Sequence, residues 1–240
     1  MIEQGGLRPF DRVLDVGCGL GRMAAPLTQY LRGPGFYVGF DIDRELVTWC
    51  QQNISSANPR FRFRHVDVRS SRYNPDGAVR GSEFVFPYDS DSFSVVLATS
   101  VFTHLLSYDT EGYIAQIRRV LMPGGVLLAT FFLINDEAQA LIAEGKAAFA
   151  FPSAGGVCWP LRQAEPEYAV ASLESWVQEL LARHDFGSPV QVHYGSWCGR
   201  SRHLSFQDIV IARRGSDDDL LATGPNHGLQ ATAGGGRATD

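Results

Sequence analysis

Between residues 13 and 21 an apolar run meets an aspartate and then glycines at every second position: Val13-Leu14-Asp15-Val16-Gly17-Cys18-Gly19-Leu20-Gly21. A buried strand entering such a turn, followed by a helical pattern, commits a chain to a strand–turn–helix unit. Glycines there let the backbone turn tightly and approach a ligand closely. The pattern repeats downstream. Strands are predicted at residues 12–16, 36–40, 61–66, 93–98 and 126–133, and helices at 20–31, 44–54 and 111–121. Gly33-Pro34-Gly35 stops the first helix, and Met122-Pro123-Gly124-Gly125 makes a turn before the fifth strand. Strands alternating with helices predict βαβ units and a mostly parallel, doubly wound α/β sheet. Residues 146–166, rich in Ala, Gly and Pro, read as a lid or acceptor loop. A helix at 173–183 and strands at 190–194 and 208–213 complete one domain over 1–213, and 214–240 reads as a disordered tail.

Three acids end successive strands: Asp15, Asp41 and Asp67. In open α/β sheets the ligand crevice lies outside those strand ends. A carboxylate at the end of the second strand can accept from both ribose hydroxyls, and Asp67 can accept from an adenine amino group. Each aspartate taken singly is also an ordinary helix cap or turn residue. A dinucleotide competes for such a pocket, but its fingerprint places the third glycine three residues after the second, and Gly21 follows Gly19 by two. Asp15 beside the loop would repel a pyrophosphate and suits the ammonium of a methionine group. Charge thus favours S-adenosylmethionine (SAM) over NAD.

These residues resemble the class I SAM-dependent methyltransferases. The likeness lies in Val13 to Gly21, in Gly39-Phe40-Asp41-Ile42-Asp43, in Asp67, in Phe86-Pro87-Tyr88-Asp89-Ser90-Asp91-Ser92-Phe93, and in Arg119-Val120-Leu121-Met122-Pro123-Gly124-Gly125. The resemblance implies a Rossmann-like, mostly parallel seven-stranded sheet with an antiparallel last strand. It implies SAM as cofactor, S-adenosylhomocysteine as product, and a cofactor site of Asp15, Gly17, Cys18, Gly19, Gly21, Arg22, Asp41, Ile42, Asp67, Val68 and Ser100. A narrower resemblance, carried by Ser100-Val101-Phe102-Thr103-His104-Leu105, Tyr73-Asn74-Pro75-Asp76-Gly77 and Gly195-Ser196-Trp197-Cys198-Gly199-Arg200, is to a bacterial subgroup associated with carbohydrate modification. The family usually begins with a helical segment over the cofactor. Here the first strand starts near residue 12, so either the cofactor is more open or the start is internal.

A sugar hydroxyl has a high pKa and benefits from a general base. His104, after the fourth strand, is the first candidate and His193 the second. The competing reading of His104 is a helix-start histidine bonded to backbone. Tyr73, Tyr108 and Trp197 are candidate substrate contacts, because aromatic faces stack on sugar C–H groups. Arg200 reads as a solvated side chain. Asp136 and Glu137 lack strong ligand spacing, so no metal is expected. The function expected is O-methylation of a sugar or glycoside hydroxyl. A methyltransferase of another small metabolite and a catalytically silent SAM-binding partner stand as alternatives.

The net charge of −5 argues against a nucleic-acid partner. No apolar run reaches the roughly 18 residues of a membrane span. Met1-Ile2-Glu3-Gln4-Gly5-Gly6 lacks the character of a leader, and Cys18, Cys50, Cys158 and Cys198 form no CxxC pair. A cytoplasmic protein with reduced thiols, a small-molecule acceptor and no membrane insertion is the expectation, with a homo-oligomer left open.

Overall fold

A computed structural model describes residues 5–187 and 189–216 of the chain. Strands β1 (Arg12–Val16), β2 (Phe36–Asp41), β3 (Phe61–His65), β4 (Phe93–Ala98) and β5 (Leu121–Phe131) alternate with helices α1 (Ala24–Leu27), α2 (Arg44–Cys50) and α3 (Ser107–Val120). A two-residue strand β6 (Leu133–Ile134), α4 (Asp136–Ala143), β7 (Cys158–Pro160), β8 (Val170–Leu173), α5 (Glu174–Arg183), β9 (Gln191–His193) and β10 (Asp208–Arg213) follow. The main sheet has seven strands in the order β3-β2-β1-β4-β5-β10-β9. Strand β1 is parallel to both β2 and β4, whereas β10 is antiparallel to β5 and β9. The order reverses direction at β1 and β4, so the crevice of the fold opens at their carboxyl ends.

Alternation along β1 sends Leu14 and Val16 into the core beneath α3 and α5, and Val13 into the opposite core with Tyr37, Phe61 and Phe63. Helix α3 buries Thr110, Tyr113, Ile114, Ile117 and Val120, the three-and-four spacing of one helical face.

Three sequence expectations need correction. The helix expected over 20–31 is only Ala24–Leu27. Gly19 and Gly21 hold left-handed backbone and Pro26 lacks an N–H, so the chain turns for longer before the helix starts. The turn at 122–125 is a bulge inside β5. Register passes from Phe93↔Leu121 to Val95↔Val126, and Gly124 absorbs the surplus at φ 72°. The loop expected at 146–166 contains β7, which joins β8 and β6 in a second, three-stranded sheet. Its aromatics pack in a cluster in which Phe132 meets Phe149, Phe151 and Trp197 at ring separations of 5.3–5.5 Å. Strands of two to four residues give too little alternation to be read from sequence.

The domain also runs past its expected end at 213. Buried Arg214 donates its backbone N–H to Gly125 and its guanidinium to Asp91, and Gly215 bonds Asp185. The remainder of the expected tail, 217–240, lies outside the described residues. No helix among the described residues is long and apolar enough to cross a membrane.

Candidate active site

A cavity of about 590 Å³ opens at the carboxyl ends of β1, β2 and β4. That volume holds a nucleoside-sized ligand with room for part of an acceptor. Of the residues expected at the cofactor, Gly17, Cys18, Gly19, Arg22, Asp41, Ile42, Val68 and Ser100 line it, as do Tyr73 and His104.

Gly19 sits at φ 51°, and a Cβ built there would project into open space. Its N–H donates to Asp41 Oδ2 at 2.7 Å, and Asp43 N–H donates to Asp41 Oδ1 at 2.9 Å. The glycine turn is thereby tied to the end of β2, with backbone rather than side chain facing the cavity. A carboxylate offers about four acceptor sites, so Asp41 retains capacity for two ribose hydroxyls. Burial raises its pKa, while the two backbone donors oppose that shift. Asp43 caps α2 by accepting from Glu45 and Leu46 N–H. Among the described residues the side chain of Arg22 makes no hydrogen bond or ion pair, and it lines the cavity where a ligand carboxylate could reach it.

Three expected cofactor residues do not line this cavity. Asp15 shares a strand face with Val13 and has no exposed surface; it accepts from the Tyr37 hydroxyl and leaves Oδ1 unpartnered. Burial pushes its carboxyl up to about 7. Gly21 serves packing, since a Cβ there would come within 2.6 Å of Ile54 Cδ1. Asp67 is exposed and accepts from Asn74 Nδ2 at 3.1 Å.

Ser100 lies at the end of β4 with φ 59°, a strained backbone for a serine. Its N–H donates to Thr130 Oγ1 at 2.7 Å, and both hydroxyls donate to Gln207 Oε1. Thr130 and Gln207 thus hold a cavity residue in place, a role that sequence reasoning missed.

The turn Phe102–His104 carries His104 to the cavity wall. Its Nδ1 lies 3.0 Å from the Glu167 carbonyl. A carbonyl only accepts, so this contact assigns the proton to Nδ1 and leaves Nε2 with a lone pair. Burial lowers the pKa of the imidazole, and the nearby Arg72 charge acts in the same direction. The ring meets the edge of Tyr73 at 5.5 Å. His193 lies on β9, away from the cavity, with Nε2 buried and unpartnered. Among the described residues no group of three or more His, Cys, Asp or Glu could hold a metal.

The other aromatic candidates fall elsewhere. Tyr108 is 79% exposed and is not on the cavity wall. Trp197 is wholly buried, donating its indole N–H to Asp208 at 2.7 Å. Asp208 also accepts from the N–H groups of Leu133 and Gly195 and from Arg200. Arg200, expected in solvent, is buried between Asp208 and Glu137. The Gly195–Arg200 segment is therefore a structural plug, with its indole turned inward by a buried carboxylate.

Residues 13–125 match the family model described as a methyltransferase domain. Over that segment, just under half of the chain, the sequence is similar to a methyltransferase domain. It is 33% identical over 141 residues to a phthiotriol/phenolphthiotriol dimycocerosates methyltransferase of Mycobacterium ulcerans, covering 58% of this chain and 42% of that one. It is 30% identical over 139 residues to the sterol 24-C-methyltransferase of Schizosaccharomyces pombe, covering 58% and 32%. The chain thus spans less than half the length of these relatives. Among solved structures, a SAM-dependent methyltransferase from Methanosarcina mazei superposes with a TM-score of 0.60 at 17% identity, over 90% of this chain and 98% of that one. The 1,6-didemethyltoxoflavin-N1-methyltransferase of Burkholderia thailandensis, with S-adenosylhomocysteine bound, gives 0.55 at 19% identity over 90% and 75%. At these identities the structures speak for the fold. The open cradle at Gly19, the spare acceptor capacity of Asp41 and the Arg22 side chain on the cavity wall fit the groups of SAM.

Proposed function

We propose that this protein transfers a methyl group from SAM to a hydroxyl of a sugar or glycoside, with His104 as general base. The observation that carries the proposal is the 3.0 Å contact from His104 Nδ1 to the Glu167 carbonyl on the cavity wall. It leaves the second ring nitrogen as a proton acceptor. SAM, when bound, supplies a methyl group on a positively charged sulfur and so needs no further activation. The chain's task is to hold the acceptor oxygen in line and remove its proton. Asp41 would receive the ribose hydroxyls, Arg22 the carboxylate, and His104 Nε2 the acceptor's proton. Tyr73, half exposed on the same wall, offers a ring face for sugar C–H groups.

A second acceptor class has support in the apolar lining from Leu20, Met23, Leu46, Val101 and Leu105. A hydroxylated metabolite with an apolar body would also fit there, and the relatives' names mention sterol and dimycocerosate substrates.

Calorimetry with SAM, S-adenosylhomocysteine and NAD tests the cofactor reading, which predicts binding of the first two only. Release of S-adenosylhomocysteine in the presence of free sugars, methyl glycosides and hydroxylated apolar compounds then decides the acceptor. Turnover confined to the apolar compounds would remove the sugar reading. Asp41→Ala should weaken SAM binding by about 1.5–3 kcal/mol, the range for a hydrogen bond to a charged group. Unaltered affinity would remove Asp41 from the ribose site. Because the His104 pKa is lowered, its base form persists in mildly acidic solution. The acidic limb of kcat/KM should therefore fall below about 6.5, the ordinary imidazole value. A limb above that value would exclude His104 as its origin.

A further inference from the structure

Residue Glu167 lies between β7 and β8 in the short turn Pro166–Tyr168, far in sequence from every methyltransferase motif. Its carboxylate Oε2 accepts from Ser70 Oγ at 2.6 Å and from Ser71 N–H at 2.9 Å. Its carbonyl meets His104 Nδ1 at 3.0 Å. The Ser70 hydroxyl also accepts from Tyr73 N–H at 3.3 Å, and the Tyr73 ring packs on His104. One residue therefore joins the connection between β7 and β8 to both acceptor-side groups, His104 and the Tyr73 loop.

We propose that Glu167 is a positioning residue: its carboxylate clamps the Ser70–Tyr73 loop, which seats its carbonyl on His104 and fixes the imidazole in the Nδ1–H form. This rests on the reading of His104 as base. The carbonyl belongs to the backbone and survives any substitution. The side chain acts by anchoring the turn, and without the anchor the carbonyl is free to leave the ring. Glutamine retains an Oε1 that can accept from both Ser70 and Ser71, so it should substitute for the acid.

Nuclear magnetic resonance of the full chain with ¹⁵N-labelled histidine reads the ring nitrogens of His104 directly, with His104→Asn providing the assignment. Wild-type protein should show the Nδ1–H form with a titration midpoint below about 6.5. Glu167→Ala should give a mixture of both tautomers. Glu167→Gln should restore the wild-type pattern. If Glu167→Ala does not fold, Ser70→Ala removes the clamp from the other side and should produce the same mixture. A folded Glu167→Ala or Ser70→Ala protein with the wild-type pattern overturns the positioning role and leaves the base reading standing. An Nε2–H form in the wild type overturns both. Methyl transfer undiminished in His104→Asn removes the base reading alone.

Discussion

Replacement of His104 by asparagine should lower methyl transfer by about 10²–10⁴-fold, the usual contribution of a positioned general base. Asparagine is chosen because its side-chain N–H can take the place of Nδ1–H and keep the bond to the Glu167 carbonyl. What it lacks is the second ring nitrogen. The fold and the cofactor cradle at Gly19 and Asp41 should be untouched, so SAM affinity by calorimetry should match wild type while the release of S-adenosylhomocysteine collapses. At about 1.36 kcal/mol per decade, the loss corresponds to roughly 3–5 kcal/mol of transition-state stabilisation. The acidic limb in the pH profile should vanish with the residue. A variant that keeps wild-type turnover would point to an acceptor needing only proximity, such as an amine already deprotonated at the working pH.

The order of strands, the glycine turn and Asp41 were legible because each leaves a local mark. Strands β1 and β4 are short apolar runs between punctuating residues, and Asp41 follows β2 immediately. Other features depend on which way a side chain faces, which local pattern does not state. Asp15 resembles a cofactor acid in its sequence context, yet alternation along β1 turns it beneath the sheet toward Tyr37. Trp197 lies in a glycine-flanked segment suited to an exposed ring, and a buried Asp208 eleven residues later draws the indole inward. Glu167 and Gln207 reach the site from 63 and 107 residues beyond His104 and Ser100, their respective partners. No periodicity records such contacts. Pro166 at the start of its turn is the only local sign that the segment has a fixed shape.

Replacing Asp15 by asparagine should stabilise the protein in alkaline solution far more than in acid. The carboxyl has no exposed surface and receives one donor, the Tyr37 hydroxyl, while Oδ1 has none. Burial is the largest cause of its rise to about 7, and the negative charge of Asp41 adds to it. In the unfolded chain an aspartate titrates near 3.9. Between roughly pH 4 and 7 the native protein therefore keeps a proton that the unfolded chain has lost. The native state binds more protons there, so stability falls as pH rises through this window and the full cost is present above it. Asparagine carries no charge at any pH and can still accept from Tyr37. The gain in unfolding free energy for Asp15→Asn should be on the order of a few kcal/mol at pH 8 and about a third of that at pH 5. Tyr37→Phe should act in the opposite sense, costing more at pH 8 than at pH 5, because it removes the one hydrogen bond that favours the ionised carboxylate. Urea titrations of the three proteins at both pH values measure these differences. An equal Asp15→Asn effect at pH 5 and pH 8 would mean that the carboxylate is already ionised in the native state at pH 5, and hence that the interior around β1 is far more polar than its packing with Val13 and Tyr37 implies.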